Sequence, residues 1–117
     1  MPLMKFYTHN TINFTVGETA EDNWRAILQA KRDYHWVHAE GRPSAHVIID
    51  TDDPLDDDVA YACNLCAQQT KITNSKDQLY VITPISNIKL GSTPGEVIIR
   101  DEAKTTYYLS KAREHTK

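Results

Sequence analysis

Hydrophobic and polar positions along the first third of the chain change from a strand pattern to a helical one. Two short runs rich in β-branched and aromatic residues, Lys5–Thr8 and Asn13–Val16, predict an opening pair of strands. After them, Thr19 is a candidate helix cap, with an acid three residues further on. The helix is predicted to run from about Ala20 to Lys31. Its apolar face is expected to consist of Trp24, Ile27 and Leu28.

A β-hairpin and a second helix are predicted for the middle of the chain. Two extended segments, Tyr34–Ala39 and Ser44–Asp50, flank a turn, Glu40–Pro43, that contains a Gly and a Pro. A helix then begins with Asp53 as its cap and Pro54 at its first position, and it ends near residue 70. Residues at helical spacing predict an apolar stripe of Leu55, Val59, Ala62, Cys63 and Cys66.

The last third predicts further strands, and the complete order of elements indicates a fold class. Gln78–Ile85 and Glu96–Arg100 have strand character, and Thr105–Leu109 is a candidate third strand. Pairs of strands separated by two helices indicate an α+β domain with a mainly antiparallel sheet. The chain has 117 residues and neither a repeat nor a long linker, so residues 1–117 are expected to form a single domain.

The predicted hairpin carries the most informative polar residues. Its turn favours a register with Trp36 opposite His46 and His38 opposite Ser44, which places all four side chains on one face. An aromatic ring, two imidazoles and a hydroxyl can stack on bases and form hydrogen bonds with phosphate or 2′-hydroxyl groups. Arg42 at the tip would add a phosphate contact.

A structural role for the same hairpin is equally compatible with the pattern. Trp36 and His46 could be core residues whose polar atoms are satisfied inside the protein. Ile48 follows on the same face and does not suit a purely polar surface. That face is therefore expected to be partly covered.

Catalytic and metal-binding alternatives have weaker support. His38 and His46 could form the acid–base pair of a metal-free nuclease, but no third residue is identified that would orient them. Cys63 and Cys66 have a zinc-like spacing without a second Cys or His pair, and their apolar stripe predicts buried packing residues instead. The acidic run Asp50–Asp58 lacks the glycine and the final glutamate of a calcium loop. We therefore expect no enzymatic activity, no metal and no cofactor.

The charge distribution permits a polyanionic partner despite a net charge of −3. Six of the 16 acidic residues lie within Asp50–Asp58, so the rest of the chain has 13 basic and 10 acidic residues, a balance of +3. Polyanion binding responds to the local surface rather than to the total charge. The segment Lys71–Lys76 mixes cations with small hydrogen-bonding groups and could hold a phosphate.

Cysteine content and hydropathy bear on the location of the protein. Two cysteines and an N-terminus without an apolar signal region predict a reducing, cytoplasmic setting. The longest apolar runs, such as Val47–Ile49, are too short to cross a bilayer, so no membrane segment is expected.

Several motifs, distributed over roughly residues 10–100, match the pattern of one family. They are Gly17 with Asn23 and Trp24, Trp36-Val-His38, Pro43-Ser-Ala-His-Val-Ile-Ile49, Thr70-Lys71, Thr83–Lys89 and Pro94–Val97. In these motifs the chain resembles the NFACT-R domain, the RNA-binding module of the NEMF and RqcH proteins. It is most similar to the short, free-standing members of that family.

The resemblance implies binding to RNA, in particular tRNA or ribosomal RNA, in translation and ribosome-associated quality control. For the short members it extends to DNA. Together with the hairpin analysis, it predicts RNA-binding residues at Trp36, His38, Arg42, Ser44, His46, Lys71 and Lys89. The alternative is a protein-interaction adaptor that docks on a ribosomal or viral partner through its sheet edge or its acidic helix.

Overall fold

The computed structural model describes residues 4–73 and 77–111, so residues 74–76 of the Lys71–Lys76 segment lie outside the described residues. In chain order the helices and strands are β1 (Met4–His9), β2 (Ile12–Gly17), α1 (Ala20–Gln29), β3 (His35–Ala39), β4 (Val47–Ile49), α2 (Asp56–Thr70), β5 (Gln78–Pro84), β6 (Ile88–Leu90), β7 (Val97–Ile99) and β8 (Thr106–Ser110).

Six strands form one antiparallel sheet in the order β1-β2-β4-β3-β5-β8, and β6 pairs with β7 in a separate hairpin. The two helices and the antiparallel sheet confirm the predicted α+β class. The candidate last strand is present as β8, at one edge of the sheet. The strand predicted at Glu96–Arg100 exists as β7, but it lies outside the main sheet because it pairs with β6, which was not predicted.

Each face of the sheet is covered by its own layer. Alternation along β3 and β4 directs Val37, Val47 and Ile49 towards α2, where they join the larger apolar cluster. Trp36 and Ile48 point to the other side, into a cluster that includes Ala26 and Ile27 of α1. The β6–β7 hairpin packs on this second cluster beside α1. Ile48 is therefore buried, as expected for a face that is partly covered.

The register of the β3–β4 hairpin differs from the prediction by two residues. Trp36 lies opposite Ile48 rather than His46, so the predicted pairs Trp36–His46 and His38–Ser44 are wrong. An even shift leaves the side chains of β3 and β4 on the predicted faces, whereas Ser44 lies in the loop, where its hydroxyl contacts Cys66 of α2. The register shifts because residues 40–46 bond elsewhere: the Ala45 N–H donates to Thr70 Oγ1 at 2.9 Å, which attaches the loop to the end of α2.

Helix α1 begins as predicted and ends early. The Thr19 hydroxyl accepts a hydrogen bond from the Asp22 N–H at 3.1 Å and donates to the Asp22 carboxylate at 2.9 Å. The helix ends at Gln29 rather than Lys31, because Ala30 is already extended. The predicted apolar face was partly wrong: Ile27 is buried as predicted, but Leu28 is 70% exposed, and Ala26 and Asn23 are buried instead.

Helix α2 begins two residues later than predicted. Leu55 rather than Asp53 precedes its first residue, and the Asp58 carboxylate accepts a hydrogen bond from the Leu55 N–H at 2.9 Å. Leu55 is consequently exposed, whereas Ala62, Cys63 and Cys66 are buried as the stripe predicts. The helix ends at Thr70, and the next residue adopts the left-handed conformation.

Candidate nucleic-acid interface

Three rings of the β3–β4 hairpin form a compact cluster on the α1 face of the sheet. Trp36 and His38 stack with ring centroids 5.4 Å apart, and His46 lies edge-on to both. Trp36 is 4% exposed and His46 is 3% exposed, whereas His38 is half-buried. Trp36 and His46 therefore lie in the core, as the structural interpretation of the hairpin proposed. His38 is the ring of the three that remains partly exposed.

A single hydrogen bond determines the protonation state of His46. The Trp36 Nε1–H donates to His46 Nδ1 at 3.1 Å, so Nδ1 is unprotonated and the proton of the neutral ring resides on Nε2. Burial, with a smaller effect from His38, lowers the pKa of His46 to about 3. Burial also lowers the pKa of His38. At neutral pH both imidazoles are therefore uncharged.

Ser44 is committed to the loop rather than to the surface. Its hydroxyl accepts a hydrogen bond from the Ala39 N–H at 3.0 Å and donates to the Ala45 carbonyl at 3.1 Å. The Cys66 thiol approaches the same hydroxyl at 3.5 Å. Ser44 thus supports the hairpin and leaves little hydrogen-bonding capacity for a ligand.

The predicted cations are exposed and separated. Arg42 lies in the β3–β4 loop, Lys71 follows α2, and Lys89 lies on β6. Only Arg42 lines a cleft together with the ring cluster. The structure therefore does not bring all seven predicted residues into one site.

Two adjoining clefts open beside the rings, with volumes of about 460 and 390 Å³. Both are lined by His38, Pro43, His46 and Gly95. The first extends towards the start of α1, and the second extends towards Arg42 and β7. Between them, the Trp24 Nε1–H donates to the Glu96 carbonyl at 2.8 Å and ties α1 to the β6–β7 hairpin.

A basic groove of about 410 Å³ lies further along the junction between α1 and the β6–β7 hairpin. Its cations are Arg32, Lys89 and Arg100, its remaining lining is aliphatic, and none of its described lining residues is acidic. We call it the basic groove. Arg32 reaches across to the Ser86 carbonyl at 3.4 Å, and the Arg100 N–H donates to the Asn87 carbonyl at 2.8 Å.

The cations of the basic groove are set apart by lying together, since Lys31, Arg42, Lys71 and Lys104 elsewhere on the described surface also make no ion pair. Lys5, Arg25 and Lys111 have carboxylate partners, at 3.3, 3.0 and 3.9 Å respectively. Within residues 4–73 and 77–111, no ion pair involves Arg32, Lys89 or Arg100. Sequence reasoning selected only Lys89 of these three as an RNA-binding residue, because the pairing of β6 with β7 is what brings Lys89 and Arg100 together.

Other features of the described residues bear on the alternatives. Cys63 and Cys66 are free and buried, and burial raises the pKa of both thiols. No group of three His, Cys, Asp or Glu side chains in the described ranges is arranged to hold a metal ion. No helix within these ranges is both long and apolar enough to cross a membrane.

The fold defines the class of protein as an α+β domain with one helix on each face of a six-stranded antiparallel sheet. No protein-family model and no curated protein matches the chain. Among solved structures, it is similar to the C-terminal part of the fibronectin/fibrinogen-binding protein from Streptococcus suis, with a TM-score of 0.81 and 23% identity. The match covers 95% of this chain and 46% of that one, and at this identity it shows a shared fold.

Proposed function

We propose that this chain is a cytoplasmic, non-enzymatic RNA-binding domain that binds tRNA or ribosomal RNA in translation or ribosome-associated quality control. The observation that carries the proposal is the basic groove, in which three cations that make no ion pair with a described residue surround an aliphatic floor. Such a surface suits a phosphate backbone, because phosphate contacts supply most of the sequence-independent affinity for nucleic acids.

The position of the basic groove relative to the ring cluster supports the same proposal. Both lie on the α1 face of the sheet, at opposite ends of the junction between α1 and the β6–β7 hairpin. The ten residues of α1 span about 15 Å, a distance that one RNA strand can bridge. The acids Asp56–Asp58 begin α2, which packs on the other face. A polyanion on the α1 face would therefore avoid these acids.

Salt-dependent tRNA binding tests the proposal. We expect the affinity of the wild-type chain to fall steeply between about 50 and 200 mM salt, because bound cations of the RNA are released. Arg32→Ala, Lys89→Ala and Arg100→Ala should each reduce the slope of log affinity against log salt by about 0.7–0.9. Lys111→Ala is the matched control, since this lysine pairs with Asp77 at the far edge of the sheet. Absence of tRNA binding at low salt would refute the proposal.

The tRNA-binding assay can also be applied to Arg42 and Lys71, which are exposed and lie outside the basic groove. Replacing Arg42 or Lys71 by Ala should lower tRNA affinity without changing the free energy of unfolding, because both side chains are exposed. Substituting Trp36 should instead unfold the domain, because its ring is buried. Thermal unfolding beside each binding curve separates the two kinds of effect.

A protein partner is the second candidate. Leu79, Tyr107 and Leu109 form an exposed apolar patch on neighbouring β5 and β8, and β8 is an edge strand. The similar streptococcal protein is described as binding fibronectin and fibrinogen, which is consistent with this candidate. Leu79→Asp or charge reversal at Asp56–Asp58 would then abolish capture of the partner and leave tRNA binding intact. If a folded Leu79→Asp variant lost tRNA binding, the apolar patch would not be a protein-binding surface separate from the RNA-binding surface.

A nuclease using His38 and His46 is not favoured by the site. The Nδ1 of His46 is occupied by the Trp36 N–H, and a pKa of about 3 prevents the ring from acting as an acid near neutral pH. Incubation of RNA with the wild type and with His38→Ala should give equal, negligible cleavage. Faster cleavage by the wild type would restore the catalytic interpretation.

A further inference from the structure

Two donors that belong to largely buried residues at the larger cleft have no hydrogen-bond partner among the described residues. Asn23 is 8% exposed, and its Oδ1 accepts a hydrogen bond from the His46 backbone N–H at 3.2 Å. This bond orients the amide, so Nδ2 can only donate, and it has no partner among the described residues. Among the described residues, Thr105 Oγ1 is the one fully buried side-chain polar atom without a partner, so Asn23 Nδ2 is open to the cleft, where an external acceptor can reach it.

His46 supplies the second donor. Its Nδ1 is taken by Trp36, so its Nε2 carries a hydrogen, and within the described ranges this group also has no partner. Both His46 and Asn23 line the cleft of about 460 Å³. Two side chains that are more than nine-tenths buried therefore present donors to the same cavity.

The start of α1 faces the same cleft. Thr19 and Ala20 line it, and the Thr19 hydroxyl satisfies the Asp22 N–H. The N–H groups of Ala20 and Glu21, in the first helical turn, have no intrahelical partner, and they form the positive end of the helix dipole. Backbone and side-chain donors thus converge on one cavity.

Gly17 makes the close approach possible. A Cβ at this position would lie 2.2 Å from Asn23 Oδ1 and 2.9 Å from the Asn23 backbone. Two of the nearby carboxylates have cationic partners: Glu18 at the rim pairs with Lys5 at 3.3 Å, and Asp22 pairs with Arg25 at 3.0 Å. Glu21, in the first turn of α1, makes no ion pair with a described residue. The two ion pairs reduce the repulsion that an anion would meet at the cleft.

We propose that this cleft binds a phosphate group through the Asn23 amide, the His46 Nε2–H and the first-turn amides of α1. Its floor offers donors, so it suits a ligand made of acceptor oxygens, and a phosphate at a helix N-terminus satisfies several donors at once. The identification of that phosphate as one of an RNA backbone rests on the proposed function.

Nuclear magnetic resonance tests the site without any substitution. Titration of the wild-type chain with orthophosphate, at ionic strength matched with chloride, should shift the Asn23 side-chain amide, the His46 Nε2–H and the Ala20 amide. The Asn13 side-chain amide, exposed on β2, should not move. Equal shifts in chloride alone, or no shift in either salt, would overturn the proposal.

Two variants carry the test to RNA. Asn23→Asp keeps the oxygen that accepts the His46 N–H and replaces the donor by a negative oxygen. His46→Asn keeps an acceptor for Trp36 and removes the Nε2–H. Each should weaken tRNA binding by about 10- to 100-fold, since a hydrogen bond to a charged group contributes about 1.5–3 kcal/mol. Asn13→Asp, which adds the same charge on the exposed surface of β2, is the control and should stay within about twofold.

The outcomes separate this proposal from the proposed function. Unchanged tRNA affinity in both folded variants would refute the phosphate site and leave RNA binding standing. Orthophosphate shifts without any tRNA binding by the wild type would refute the proposed function and retain a site for free phosphate. If thermal unfolding shows that Asn23→Asp does not fold, His46→Asn and the orthophosphate titration decide.

Discussion

Acid should destabilise this domain through one buried imidazole, His46. The ring is 3% exposed, and its Nδ1 accepts the Trp36 N–H at 3.1 Å, so protonation places a charge in the core and replaces the acceptor by a donor. The pKa of His46 is about 3 in the folded chain and 6.5 in the unfolded chain. The folded pKa is the lower one. Stability is therefore complete above about pH 6.5 and is lost as the pH falls towards 3.

The size of the effect follows from proton linkage. At about pH 4.5 the unfolded ring is almost fully protonated and the folded ring is almost fully neutral, a difference of about 2.7 kcal/mol between the two states. At about pH 7.5 the same expression gives less than about 0.1 kcal/mol. His46 alone should thus remove about 2.6 kcal/mol of unfolding free energy over this interval, a large share of the 5–15 kcal/mol typical of a domain.

Urea unfolding of the wild type and of His46→Asn at both pH values measures this loss. The asparagine retains an acceptor near Trp36 Nε1 but does not titrate, so its unfolding free energy should fall by about 2.6 kcal/mol less between the two pH values. His38, with a lowered pKa, and Asp50, with a raised one, titrate in both proteins and largely cancel in the difference. Equal pH dependence of the two proteins would refute the assignment of a neutral, Trp36-bonded ring.

Three further predictions concern the packing around the site. Gly17→Ala should destabilise the domain by about 2 kcal/mol or more in urea unfolding, because the new methyl group collides with Asn23. Asn87→Ala should cost about 3 kcal/mol in the same assay, since the buried amide loses three hydrogen bonds of 2.8–3.1 Å. Cys63 and Cys66 should resist alkylation by iodoacetamide until urea unfolds the chain, because both thiols are buried with raised pKa values; rapid labelling of the native protein would contradict this.

Local chemistry made most elements of the fold predictable. The Thr19 cap, the alternation along β3 and the helical spacing of Ala62, Cys63 and Cys66 depend on neighbours a few residues away, and the structure confirms each of them. Errors occurred where a distant group competes with a local signal. The Asp58 carboxylate, rather than Asp53, bonds the N–H that precedes α2, and Thr70 takes the Ala45 N–H that a tighter hairpin would have used.

The candidate site was only partly predictable for the same reason. Sequence reasoning selected the hairpin segment and its rings, and it weighed a buried role for Trp36 and His46 without deciding it. It could not identify the basic groove, because Arg32, Lys89 and Arg100 are far apart in the chain and meet only when β6 pairs with β7 beside α1. Asn23 was noted as part of a motif, but its donor role depends on a bond from the His46 backbone.

The sequence by itself determined the fold class, the two helices and the face on which each side chain of β3 and β4 lies, since hydrophobic period and turn chemistry act over short distances. Only the tertiary structure decided which polar atoms are left without partners and which cations are left without carboxylates. Whether an atom lacks a partner depends on every group that packs around it, including groups far away in the sequence. For His46 and Asn23, this depends on α1, the β3–β4 loop and the sheet being packed together.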